Sequence, residues 1–133
     1  MVETILAHQP KIIGIGVYIW NVVQCESVVK LIKKISPDTK IVLGGPEVSY
    51  EYQEQEIVEL ADYLVVGEGE VSFAELCSKI LMGEAPSQKV LHGKSPDVQS
   101  LIMPYHLYTS EDVAHRVIYV EASRGCPFKC QFC

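Results

Sequence analysis

The stretch Lys11–Trp20, KIIGIGVYIW, decides how the fold is read. Ile12, Ile13, Ile15, Val17 and Ile19 form a nearly continuous apolar run, not an alternation. Such a run suits a strand buried on both faces, as in a parallel sheet covered by helices. Asn21 stands where a helix cap belongs, with Gln24 three residues on as its capping-box partner. Cys25, Val28, Val29, Ile32 and Ile35 follow at helical spacing, while Lys30, Lys33 and Lys34 point elsewhere. Ser36-Pro37-Asp38 ends that helix, because the residue before a proline avoids the helical region.

The strand–helix unit then recurs. KIVLGGP, Lys40 to Pro46, reads as a second short buried strand, followed by an acidic helix over roughly Glu51 to Ala61 with Ile57, Val58 and Leu60 as its apolar face. Tyr63 to Val66 is a third strand. Ser72 and Glu75 have the spacing of a capping box; Phe73, Leu76, Cys77, Ile80 and Leu81 form one apolar stripe, and Gly83 is a good helix stop. Strands alternating with helices predict an α/β fold: a partial doubly wound parallel sheet, flavodoxin-like or Rossmann-like, with flanking helices and right-handed crossovers. Lys89 to His92 is a candidate extra strand. The segment from Gly93, with Pro96, Pro104 and few periodic apolar positions, reads as a linker, and Val117 to Glu121, VIYVE, as a further strand. The expected organisation is thus a partial domain over 1–92, a linker over 93–116 and the start of another domain over 117–133. Three main strands are few for such a sheet, which usually has about five or six, so the polypeptide is expected to continue at both ends. A sheet without its neighbour leaves one edge of the first strand open, and self-association through that edge is expected.

At 133 residues, 48% apolar and 21% charged, the composition is that of a globular domain. No apolar run reaches the roughly 18 residues needed to cross a bilayer, and the N-terminus lacks the layout of a secretory signal. The cytoplasm is the expected compartment. The formal net charge of −6 repels phosphate backbones, so no nucleic-acid partner is expected.

Three of the five cysteines, Cys126, Cys130 and Cys133, close the chain in the spacing C-x-x-x-C-x-x-C, beside Arg124 and Lys129. Nearby positive charge favours thiolate, the metal-binding form. Three thiolates with no fourth cysteine or histidine beside them do not complete a tetrahedral zinc site, but they suit a cluster that leaves one iron open. A zinc half-site completed elsewhere, or three unrelated thiols, is the bland alternative. Cys25 and Cys77 lie in helical apolar patterns and read as small buried core thiols.

SRGCPFKCQFC resembles the cluster motif of radical S-adenosylmethionine enzymes, with Phe132 in the aromatic position before the last cysteine. The resemblance implies that Cys126, Cys130 and Cys133 ligate a 4Fe–4S cluster whose fourth iron chelates S-adenosylmethionine. One electron from that cluster would release a 5′-deoxyadenosyl radical. VLGGPEVS, Val42 to Ser49, and DYLVVGEGEVSFAEL, Asp62 to Leu76, are similar to the cobalamin-binding domain that precedes many radical enzymes of this kind. The order in that group is a Rossmann-like domain, a short linker and a strand entering the cluster motif, and this chain shows it from about residue 11 onward.

Ligands of open α/β sheets sit at the carboxyl ends of the strands. Gly44-Gly45-Pro46 and Gly67-Glu68-Gly69-Glu70 follow two neighbouring strands, and Tyr18, Ile19 and Trp20 follow the first. Glycine admits close backbone approach to a flat ligand. The resemblance implies that these three loops frame the corrin or its nucleotide tail. Taken alone, each glycine pair equally suits an ordinary strand-to-helix turn. None of His8, His92, His106 and His115 sits in the D-x-H-x-x-G motif that ligates cobalt in many cobalamin-binding domains.

The leading reading is therefore the cobalamin-binding portion of a radical S-adenosylmethionine enzyme acting on a small molecule. The wording of the glycine loops resembles anaerobic magnesium-protoporphyrin monomethyl ester oxidative cyclases, which would make the substrate a tetrapyrrole; other members are methyltransferases. The chain alone is expected to be inactive. The alternatives are a stand-alone flavodoxin-like module, and a tRNA-modifying radical enzyme of the methylthiotransferase kind.

Overall fold

The computed structural model describes residues 1–121 and Arg124. The chain divides into two units, Met1–Ser95 and Pro96–Cys133.

The first unit contains α1 (Val2–Ala7), β1 (Ile12–Gly16), α2 (Val22–Ile35), β2 (Lys40–Gly44), α3 (Glu56–Leu60), β3 (Tyr63–Val66), α4 (Glu70–Met82) and β4 (Val90–His92). The four strands form one parallel sheet in the order β1-β2-β3-β4. Strand alternation divides the side chains between two faces. Ile13, Ile41, Leu43 and Leu64 point to one face and pack with Val29 and Ile32 of α2 and Ile57 and Val58 of α3. Val42, Tyr63 and Val65 point to the other and pack with Leu76 of α4. β2 and β3 are buried through their centres, as continuous apolar runs predict. β1 departs from that expectation: it is an edge strand among the described residues, and of its five residues only Ile13 is buried.

The placement of α4 corrects a second expectation. The strand order moves steadily in one direction, yet α2 and α3 cover one face and α4 covers the other. The β3–α4–β4 crossover therefore has the opposite hand to the two before it, against the strong general preference for one hand.

The expected caps are also used differently. Asn21 precedes α2, but its side chain makes no cap bond to the helix. It reaches backward instead, with Oδ1 accepting from the Tyr18 amide at 2.8 Å and Nδ2 donating to the Gly16 carbonyl at 3.1 Å. Likewise α4 starts at Glu70, with Gly69 as its N-cap, two residues before the Ser72–Glu75 pair. Ser72 is buried, and its Oγ accepts from the Lys94 amide at 3.2 Å, while Glu75 pairs with the Lys94 ammonium. Gly83 does end α4, in the left-handed conformation expected of a terminal glycine. The acidic helix is shorter than its charge pattern suggests. Extended backbone at Gln55 splits a 3-10 turn, Tyr52–Glu54, from α3, and the Gln55 side-chain Nε2 donates to the Glu47 and Tyr50 carbonyls.

Asp62 locks the amino end of the sheet. Its carboxylate accepts from the Ile41 amide at 2.8 Å and from the ammonium groups of Lys33 and Lys40. Partial burial works against the charged carboxylate, but the Ile41 amide, Lys33 and Lys40 outweigh it and hold its pKa below the ordinary value. A depressed folded pKa adds stability above the unfolded pKa, and that stability is lost as pH falls through the folded value. Asp62→Asn is expected to cost about 1–2 kcal/mol at neutral pH, a figure kept low because the site is partly open to solvent. The wild type should approach the variant's stability below about pH 4. Melting curves of both proteins across that range check this, and a constant gap at all pH values would refute it.

In the second unit, 3-10 turns at Val98–Ser100 and Pro104–Leu107 precede α5 (Ser110–His115). Thr109 and Asp112 form a true capping box on α5. The strand expected at Val117 to Glu121 is absent from the described residues. That segment is fastened by side chains and not by a ladder: Tyr108 Oη donates to the Tyr119 carbonyl at 3.0 Å, and Tyr105 Oη contacts both the Glu121 carbonyl and its amide. A strand exists only with a partner, and β-propensity alone does not supply one. Arg124 forks onto the Glu121 carboxylate at 2.5 and 2.7 Å.

Candidate functional site

Three loops leave the carboxyl edge of the sheet and are tied to one another. The first follows β1, where the Asn21 clamp fixes the turn and the rings of Tyr18 and Trp20 stack with centroids 4.7 Å apart and planes 12° apart. Ile19 and Trp20 stand well out into solvent at 75% and 73% exposure. The second follows β2. Gly45 takes φ +111°, and a Cβ there would lie 2.4 Å from the Val17 carbonyl oxygen. This close approach lets Val17 bond to Gly44 and Glu47. Pro46 opens the short turn Pro46–Val48. The third follows β3, where Gly67 has φ +81°. Ser49 joins the second and third loops: its hydroxyl donates to the Gly45 carbonyl at 2.9 Å and accepts from the Gly67 amide at 3.2 Å.

Behind the third loop lies Gly93. A Cβ on Gly93 would fall 1.9 Å from the Glu68 carbonyl oxygen, and its amide bonds the Val66 carbonyl at 2.7 Å. The Gly67–Glu70 loop is thus backed by the end of β4.

Between the loops and the α4 side of the sheet is a cleft of about 480 Å³. Its floor is the alternate-position set Gly14 and Gly16 of β1, Val42 and Gly44 of β2, and Val65 of β3; its walls include Gly69, Glu70 and Phe73. The three atoms nearest a Cβ built on Gly14 all belong to the Phe73 ring, and the nearest to one on Gly16 is in the Tyr18 ring. Glycine therefore keeps the floor flat between two aromatic rings. A flat apolar floor at the carboxyl edge suits a large planar ligand.

The structure brings Gly44, Gly45, Gly67, Gly69 and Glu70 to this one edge, with Tyr18 beside them. Cys126, Cys130, Cys133 and Phe132 lie outside the described residues. Gly14, Gly16, Ser49, Phe73 and Gly93 were not singled out by sequence reasoning. The two-residue spacing of Gly14 and Gly16 was the available signal, since it puts both on one face of a strand. Cys25 and Cys77 are free thiols whose pKa burial pushes up, but neither is the fully buried core thiol expected: Cys25 is half-buried against the core and Cys77 half-buried outside it. Among the described residues no cluster of histidine, cysteine or acidic side chains is placed to hold a metal ion, and no helix is long and apolar enough to cross a membrane.

Comparison with known proteins shows the family of the fold that carries this cleft. Residues 1–77 match the model of the B12 binding domain. The chain belongs to the B12-binding domain family. Relatives of this B12-binding chain include methyltransferases and a cyclase. The cobalamin-dependent radical SAM methyltransferase TokK of Streptomyces tokunonensis is 30% identical over 94% of this chain and 22% of that protein. The anaerobic magnesium-protoporphyrin IX monomethyl ester cyclase of Rubrivivax gelatinosus is 26% identical over 98% of this chain and 28% of that protein. The chain thus spans less than a third of the length of either. In fold, the B12-binding unit is similar to the N-terminal domain of a hypothetical protein of Thermotoga maritima, with a TM-score of 0.54 at 22% identity over 70% of this chain and 72% of that one. That neighbour supports the α/β architecture expected from KIIGIGVYIW and the runs after it.

Proposed function

We propose that this chain is the cobalamin-holding part of a radical S-adenosylmethionine enzyme that transfers a methyl group to a small molecule. The observation that carries the reading is the glycine-floored cleft at the carboxyl edge of a B12-binding fold. The residues present fit the cofactor: Gly14, Gly16 and Gly44 leave flat space where any side chain would intrude. The backbone of Gly45, Pro46, Gly67, Glu68 and Gly69 would border the corrin, with Glu70 at the start of α4. Tyr18, Ile19 and Trp20 would shield its edge from water. The Asn21 clamp and the Ser49 bridge keep the three loops in register before any ligand arrives, which lowers the ordering cost of binding.

The donor set Cys126, Cys130 and Cys133 fits a 4Fe–4S cluster with one open iron, and Phe132 would lie beside it. When bound, cobalamin supplies a cobalt centre that carries a methyl group, and the cluster supplies the electron that cleaves S-adenosylmethionine. Similarity to the cyclase over 98% of the chain favours a second reading, oxidative ring formation on a tetrapyrrole.

The product of the full reading frame, purified without oxygen, tests this. Iron, sulfide and corrinoid absorption bands are expected together. Corrinoid without iron would remove the radical chemistry, and the lack of both would leave a plain flavodoxin-like module. Iron without corrinoid would favour the tRNA-modifying class.

A further inference from the structure

Phe73 opens the α4 stripe and is not absorbed by the core; unlike the exposed Leu81 near the other end of the helix, it turns into the cleft. Leu76, one turn further on, is 2% exposed beneath the helix, while Phe73 remains 38% exposed. Its ring reaches past β2 to the edge strand. Its Cζ and Cε2 atoms lie 2.9 and 3.2 Å from the position a Gly14 Cβ would take. Any other residue at position 14 would push the ring away, so glycine there acts as a seat for it. The seated ring closes the inner end of the cleft, against a floor made by Gly14, Val42 and Val65. A half-exposed aromatic ring at the end of an apolar slot is a stacking surface for another planar ring.

We propose that Phe73 is the positioning residue for the aromatic base of the cofactor's nucleotide tail, stacking on the base and limiting its size. The inference rests on the cobalamin reading above. It predicts a role confined to the tail, since the corrin itself would be bordered by the loops and not by the middle of the sheet.

The test uses the full-length protein and two probes: cobalamin, with its dimethylbenzimidazole tail, and cobinamide, which lacks the base. Phe73→Ala is expected to weaken cobalamin about tenfold, the scale of one lost aromatic stack and its buried area, and to leave cobinamide within about twofold of wild type. Phe73→Leu keeps the apolar volume without the ring, guards against loss of folding, and should weaken cobalamin selectively by a smaller factor. Equal weakening of both corrinoids, or of neither, in the folded Leu variant would overturn the role of Phe73. Wild-type protein that binds neither corrinoid would overturn the cobalamin reading itself, so the two failures are distinguishable.

Discussion

Gly44→Val is expected to abolish corrinoid retention while leaving the fold at least as stable as before. Gly44 closes β2, paired with Gly16 of β1. A Cβ at Gly44 meets no closer neighbour than the Val65 carbonyl oxygen at 3.6 Å, an ordinary contact. Valine also suits a strand better than glycine, which carries a conformational cost of about 0.5–1 kcal/mol in such a position. A Cβ at this position thus meets no clash within the fold. In the cleft, however, the two valine methyls would stand on the floor shared with Gly16 and occupy the space open to a planar ligand. Overpacking of this kind costs roughly 1–3 kcal/mol, so affinity should fall up to about a hundredfold. Melting temperature and the corrinoid carried through gel filtration, measured on the same preparation, decide the matter. Wild-type corrinoid content in the variant would mean that the cleft is not the binding site.

Gly45→Ala, one residue on, should do the reverse and strike the fold. Gly45 has φ +111° and ψ 168°, a region open almost only to glycine. The added methyl would also sit 2.4 Å from the Val17 carbonyl oxygen and 2.9 Å from its nitrogen. Backbone atoms cannot swing aside as a flexible side chain can, so relief requires the β1 and β2 loops to part and breaks the bonds Val17 makes to Gly44 and Glu47. A loss of about 3 kcal/mol or more is expected, roughly 10 °C or more in melting temperature. Gly83→Ala is the internal control. Gly83 also has positive φ, +80°, but nothing lies within 4 Å of its Cβ position. That variant should lose only about 1 kcal/mol. If the two variants lost equal stability, the close approach at Val17 would carry no energetic weight.

The sequence revealed most where one residue answers to one constraint. The apolar runs of β2 and β3 were legible because both faces are covered, so every position obeys the same rule. The terminal glycine of α4 was legible because only its backbone matters. Asn21 and Ser72 were misread because their side chains serve partners outside their helices, the nearby Gly16 and Tyr18 backbone in one case and Lys94 in the other. A helix-start rule does not weigh a competing backbone donor outside the helix. Val117 to Glu121 carries the composition of a strand but has tyrosine hydroxyls where a ladder would be. In the cleft, the loop glycines were visible as pairs after strands. Gly14 and Phe73 were not, because a glycine inside a strand and an aromatic in a helical stripe each look ordinary until α4 is placed above β1.

The reversal of winding at α4 has a consequence for how this domain tolerates change. A single helix cannot roof four strands, so on its side of the sheet the carboxyl end of β1, beyond the Phe73 ring, is left open. The recess is therefore a product of chain routing more than of loop composition. Loops along its mouth can drift in sequence and adapt to different occupants, while the hollow itself persists as long as the path of the backbone does.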